Sequence, residues 1–117
     1  YGHSEGDACL RAVARVLSDS LHRPGEFVAR YGGEEFAAVL PGTDLDGGLT
    51  VAERMRQAVL ELDIEHCDSQ TCDIVSISLG VACVVPHLGK DDPEYLIKAA
   101  DRNLYSAKQG GRNCVVG

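Results

Sequence analysis

Between two helix-length segments the chain carries a glycine pair, Gly32-Gly33, with short apolar arms at residues 27–31 and 35–40. Two strand-length arms around two glycines predict a β-hairpin, and glycine at both centres suits a type I′ turn, which needs positive φ twice. A hairpin here sets two antiparallel strands side by side in the middle of the chain. A regular alternating doubly wound fold is thereby disfavoured, because parallel neighbours need a crossover between each pair.

The rest of the chain fits around that hairpin. From Asp7, the residues Leu10, Val13, Ala14, Leu17 and Leu21 share one helical face, which predicts an amphipathic helix opened by Gly6 and Asp7, with residues 1–6 as a turn. Arg23-Pro24-Gly25-Glu26 reads as a turn. Pro41-Gly42 stops the second arm, and Leu45, Leu49, Ala52, Met55, Val59 and Leu62 predict a second long helix. Residues 67–72 read as a loop. Residues 73–85 then alternate, with Val75, Ile77, Leu79, Val81, Cys83 and Val85 on one face and Ser76, Ser78, Gly80 and Ala82 on the other. One long strand is predicted, its second face small enough for a helix or a ligand to approach the backbone closely. Leu96, Ala99, Ala100, Leu104 and Ala107 predict a third helix ended by Gly110-Gly111, and residues 114–116 a final strand. Asp44, Asp46, Asp91 and Asp92 precede periodic stretches and read as helix-start residues. The order predicts an α+β fold, a mixed sheet with flanking helices and no internal repeat.

A chain of 117 residues, 44% hydrophobic, is one domain with enough apolar surface to build a core unaided. Its net charge of −7 and scattered basic residues exclude the broad positive surface that duplex DNA or anionic lipid requires, so neither nucleic acid nor a membrane is an expected partner of this domain. Nothing in it reads as a spanning or exporting segment. Five cysteines form an odd set without a close Cys-x-x-Cys pair, which points to reduced thiols in a cytoplasmic compartment. His66, Cys67 and Cys72 have the wrong spacing for a zinc knuckle and no second cluster to complete one, so a polar loop is the reading there. His3, His22, His66 and His87 have no assignable partners and read as surface or loop residues, His3 as support for its turn.

Glu34 and Glu35 follow the glycine pair directly. Acidic residues at a hairpin tip are ordinarily solubilising. Two like charges about 4 Å apart, however, repel by roughly 4 kcal/mol at an effective dielectric of 20, and a polyphosphate would add to that. A divalent cation removes the conflict, and Mg²⁺ needs only one or two carboxylates when substrate phosphates and water fill its other positions. Successive strand residues point to opposite faces, which would give the two glutamates different jobs. Lys108 and Arg112 could meet the phosphates, the arginine by a forked contact and the lysine as a point charge, although both also suit a helix C-terminus as plain end charges.

With these residues assembled, the chain resembles the GGDEF family, the catalytic domain of diguanylate cyclases. The resemblance rests on "YGHSEGDACL" (residues 1–10), "RYGGEEF" (30–36), "SISLGVA" (76–82) and "AADRNLYSAKQGGRN" (99–113), and it covers essentially the whole chain. Glu34 replaces the Asp of the signature, a variant found in active members. The resemblance implies a ferredoxin-like, palm-type fold similar to nucleotidyl cyclase domains, and condensation of two GTP into cyclic di-GMP and two pyrophosphates by a homodimer. It implies Mg²⁺ (or Mn²⁺) held by Glu34 with help from Glu35, Glu34 also aiding deprotonation of the ribose 3′-hydroxyl. Gly32 and Gly33 would admit the phosphates, Lys108 and Arg112 would bind the terminal ones, and Asp7 would read the guanine edge. An attached sensor or receiver domain is implied as well, in a parent protein free to be membrane-attached.

Two departures qualify the match. Family members carry, upstream of the "GHSEGD" turn, a strand with a metal-binding Asp and a helix followed by a guanine-contacting Asn. This chain starts at Tyr1, so the expectation is a GGDEF domain over residues 1–117 without its first strand and helix, the retained part of a longer protein; alone, such a piece is expected to be inactive and poorly stable, or to pair with another chain. The family's product-inhibition motif, Arg-x-x-Asp, is matched by Arg23 and Glu26, with Glu in place of Asp. The competing reading is a catalytically incomplete module that binds GTP or cyclic di-GMP to regulate an attached domain; a third is a domain that contributes only dimer surface.

Overall fold

The computed structural model describes residues 3–67, 72–85 and 93–117. In chain order the elements are α1 (His3–Asp19), β1 (Phe27–Gly32), β2 (Glu35–Val39), α2 (Leu45–Glu61), β3 (Glu65–Cys67), β4 (Cys72–Ile74), β5 (Leu79–Gly80), α3 (Pro93–Gln109) and β6 (Val115–Val116). The α+β class is as expected. The strands form two antiparallel pairs, β1-β2 and β3-β4, and one parallel pair, β5-β6.

The core lies where α1 meets α2. Val13 and Leu17 from the first helix pack with Met55 and Val59 from the second, all nearly inaccessible, and half-buried Val28 and Phe36 reach down to them from the hairpin. Full burial of side chains of this size contributes about 1.5–3 kcal/mol each. Two helix ends are satisfied by specific side chains. Asp44 is the N-cap of α2 and its carboxylate accepts from Gly47 N–H at 2.8 Å, as its position predicted. At the end of α1, Arg54 Nη1 donates to the Ser20 carbonyl at 3.0 Å and occupies an acceptor that the helix leaves open.

The third helix packs on β5 and β6, and the small face read from the sequence is what admits it. A Cβ placed on Gly80 would sit inside the backbone of Ala100, Asn103 and Leu104. Asn103 Nδ2 adds a hydrogen bond to the Val81 carbonyl at 2.7 Å. Helix and extended segment therefore meet backbone to backbone.

Four expectations are corrected. The first helix begins at His3, so Gly6 and Asp7 lie within it rather than opening it; a glycine inside a helix costs only about 1 kcal/mol against alanine, less than the packed apolar face returns. The hairpin turn is Gly33-Glu34, not Gly32-Gly33. Gly32 pairs with Glu35 and only Gly33 has positive φ (54°), the pattern of a type II′ rather than a type I′ turn. The cause is a bulge between Arg30 and Gly32, which leaves Tyr31 without a cross-strand partner and moves the turn along by one residue. Cys67 and Cys72, expected in a loop, face each other in the β3-β4 ladder. The long strand is two short ones: Val75 N–H reaches the Ile64 carbonyl at 2.7 Å and Val81 N–H the Val116 carbonyl at 2.8 Å, but among the described residues no partner runs alongside for the whole length. Alternation fixes which face is buried; a ladder also needs a neighbour of equal length. His87, Asp91 and Asp92 lie outside the described residues, as do the side chains of His3, His66, Cys67 and Cys72.

Candidate active site

The corrected turn changes how the two glutamates stand. Glu34 occupies the second turn position, and Glu35 opens β2 opposite Gly32. They differ because one is in a turn and the other in a ladder, not because they alternate along one strand. Neither carboxylate has a hydrogen-bond or ion-pair partner among the described residues, and both are exposed. Arg30 braces the loop from behind, its Nε donating to the Gly33 carbonyl at 2.8 Å. Sequence reasoning missed that role, although the arginine three residues before the turn stood in the motif. Gly32 and Gly33 have no atom within 4 Å of where a Cβ would be, so the backbone at the tip is open to approach.

Between α1 and the hairpin runs a groove of about 470 Å³, within the range of small-molecule sites. Asp7 stands on its helical wall with Leu10 and Arg11, and Val28, Arg30 and Phe36 form the strand wall. One carboxylate, two guanidinium groups and an aromatic ring are thus contributed by the residues that line this slot. Such a set can accept from N–H donors at one edge of a planar base and donate to acceptors at another.

Lys108 and Arg112 come from another element, α3 and its C-terminal end, which packs on β5 and β6 whereas the hairpin packs on α1. Lys108 is exposed in the last turn of α3. Arg112 follows a helix end of Schellman type. Gly111 takes φ 110°, and Arg112 N–H donates to the Ala107 carbonyl at 3.0 Å. Unusually, Arg112 and Asn113 also have positive φ, 65° and 48°. For residues with a Cβ this conformation costs on the order of 1 kcal/mol each, so the surroundings must hold it.

At the Arg23–Glu26 turn, the Glu26 carboxylate accepts from the backbone N–H groups of His22 and Arg23 at 3.2 and 3.0 Å, and Arg23 Nη1 donates to Thr43 Oγ1 at 3.3 Å. Glu26 braces its own turn, and Arg23 ties that turn to Thr43 in the segment before α2.

Two carboxylates at the tip are a sufficient hard-oxygen set for Mg²⁺, which takes its remaining ligands from substrate and water. No group of three or more His, Cys, Asp or Glu gathers for a metal among the described residues. No helix among them is long and apolar enough to cross a membrane.

Known proteins resemble this chain in sequence and in fold. The family model described as "Diguanylate cyclase, GGDEF domain" matches residues 1–114. Diguanylate cyclase DgcM of Escherichia coli strain K12 is 43% identical over 116 residues, which is 99% of this chain and 26% of the relative. The response regulator PleD of Caulobacter vibrioides is 39% identical over 117 residues, 100% of this chain and 25% of the relative. The chain spans about a quarter of the length of these relatives. Among solved structures, the active GGEEF domain of a diguanylate cyclase from Vibrio cholerae superimposes with a TM-score of 0.79 at 29% identity, covering 99% of this chain and 70% of the other. The GGDEF domain of DgcB from Caulobacter crescentus, solved in complex with c-di-GMP, gives 0.80 at 30% identity, covering 99% and 66%.

Proposed function

We propose, because the chain belongs to the GGDEF family of diguanylate cyclase domains, that it forms one half-site of an enzyme condensing two GTP into cyclic di-GMP and two pyrophosphates. The observation that carries the reading is the groove between α1 and the hairpin, where Asp7 shares a slot with Arg30 and Phe36 of the "RYGGEEF" segment. In it Asp7 accepts from the N–H groups of the guanine edge, and the bare backbone at Gly32 and Gly33 lets phosphates come close.

Glu34 and Glu35 are the residues that would hold Mg²⁺ (or Mn²⁺), whose charge, when bound, lowers the cost of gathering phosphates and carboxylates together. Glu34 takes the proton of the ribose 3′-hydroxyl of one GTP. The freed oxygen bonds to the α-phosphorus of the second GTP, and the bond from that phosphorus to the bridging oxygen breaks to release pyrophosphate. The same exchange in the opposite sense closes the ring. Two chains must therefore present their half-sites to each other, which makes a homodimer the working unit, regulated by whatever sensor or receiver domain the parent protein carries. Lys108 and Arg112 neutralise the terminal phosphates. Cytoplasmic GTP is the matching substrate pool. The bonds made by Glu26 and Arg23 favour a bracing role for their turn over product binding.

The test is to incubate the full-length protein with GTP and Mg²⁺ and to separate the products by chromatography. Cyclic di-GMP from the wild type and none from Glu34→Gln is the expected result, with rates unchanged by added cyclic di-GMP. Absence of product from a folded, activated dimer would overturn the enzymatic reading in favour of a module that only binds GTP or cyclic di-GMP.

A further inference from the structure

We propose that Arg56, in the middle of α2, is a positioning residue for Arg112, acting through Asn113; the assignment rests on the phosphate-binding role proposed for Arg112. The backbone from Gly111 to Asn113 has positive φ at three successive residues, two of which carry side chains. A single such residue is common after a helix, but a run of them is not self-sustaining. Three hydrogen bonds hold it: Arg112 N–H to the Ala107 carbonyl at 3.0 Å, Asn113 N–H to Ser78 Oγ at 3.2 Å, and Arg56 Nη1 to Asn113 Oδ1 at 3.1 Å. The last ties residues 57 apart in sequence, and it is the one that brings a charged donor.

Arg56 is built as a rigid arm. Its Nε donates to both Glu53 carboxylate oxygens at 3.1 and 3.0 Å, and its Nη2 also pairs with Glu53 Oε1. Gln57 Nε2 supports the same oxygen at 3.3 Å. The Arg56 side chain is only 16% exposed. One edge of the guanidinium is thus locked on Glu53 while another donor meets Asn113. Lysine, a point charge on a flexible stem, cannot serve both. Because Asn113 is the next residue after Arg112, fixing its side chain fixes the direction in which the Arg112 side chain leaves the backbone.

The experiment measures binding of a non-cleavable GTP analogue by calorimetry, together with KM and kcat, on the full-length protein and its Arg56→Met, Asn113→Ala, doubly substituted and Arg112→Ala forms. Arg56→Met and Asn113→Ala should each weaken analogue binding and raise KM about tenfold while kcat stays within about twofold, the signature of lost binding that does not change between ground and transition states. The double substitution should be no worse than either single one, because the two residues act as one unit. In the Arg112→Ala background, Arg56→Met should change nothing further. If Arg56→Met proves poorly folded, Arg56→Lys carries the same expectation. Strict additivity, or unaltered binding in Arg56→Met while Arg112→Ala weakens it, overturns the positioning role. Unaltered binding in Arg112→Ala instead overturns the phosphate reading itself, and this inference with it.

Discussion

The Gly33-Glu34 turn and the turn at residues 110–113 each deliver a charged side chain from a reversing backbone, but they do so at different cost. In the first, the one position that needs positive φ is a glycine, and a single bond from Arg30 steadies it. In the second, glycine ends the helix but Arg112 and Asn113 continue with positive φ, and bonds from α2 and from the extended segment at Ser78 are needed to keep them there. A turn made locally can be read from a few residues. A turn held by distant partners exists only once the rest of the molecule has assembled.

The contrast can be broken most forcefully at Gly80, the seat of α3 and so of the second turn. The added Cβ of Gly80→Ala meets backbone atoms of Ala100, Asn103 and Leu104, which cannot rotate aside. A loss of about 3 kcal/mol is expected, at the upper end for overpacking. Chemical denaturation of the full-length protein measures it; a stability within about 0.5 kcal/mol of wild type, the usual range for harmless surface changes, would show that α3 is not seated this closely.

A smaller effect separates the two adjacent glycines of the first turn. Gly33→Val forces a β-branched residue to φ 54° and should cost about 1–2 kcal/mol although open space surrounds it. Gly32→Ala, at negative φ and equally open, should cost less than about 0.5 kcal/mol. Equal melting shifts for the two would restore the type I′ turn that the sequence suggested.

The smallest effect concerns the arm that braces the second turn. Hydrogen bonds from Arg56 hold the Glu53 carboxyl below the ordinary carboxylate range. Its contribution to stability is therefore complete above the unfolded pKa, near 4.3, and fades as pH falls through the lower folded value. Melting temperatures of wild type and Glu53→Gln should accordingly differ by a constant small amount from pH 7 to about pH 5 and converge in more acidic solution. A gap that widens on acidification contradicts the pairing.

Much of this was legible in the residues themselves. The faces of α2 and α3 follow from apolar spacing, the Asp44 cap from its place before the periodic stretch, and the close approach of a helix from the small residues around Gly80. Asp7, Gly32, Gly33, Glu34 and Glu35 stand out in the sequence motifs, and the groove brings Asp7 alongside the hairpin. Arg30, Asn103 and Arg56 do not, because nothing local distinguishes an arginine that braces a carbonyl or an amide from one that faces solvent.

By itself, then, the sequence determined the three helices, the hairpin and the order in which they occur, since these depend on periodicity and turn chemistry within a few neighbouring residues. Only the tertiary structure decided the phase of the hairpin turn, the short ladders around residues 72–80 and the left-handed run after Gly110. Each of these depends on a partner far along the chain or on a bulge set by cross-strand pairing, and the free energy of such contacts is absent from any local window.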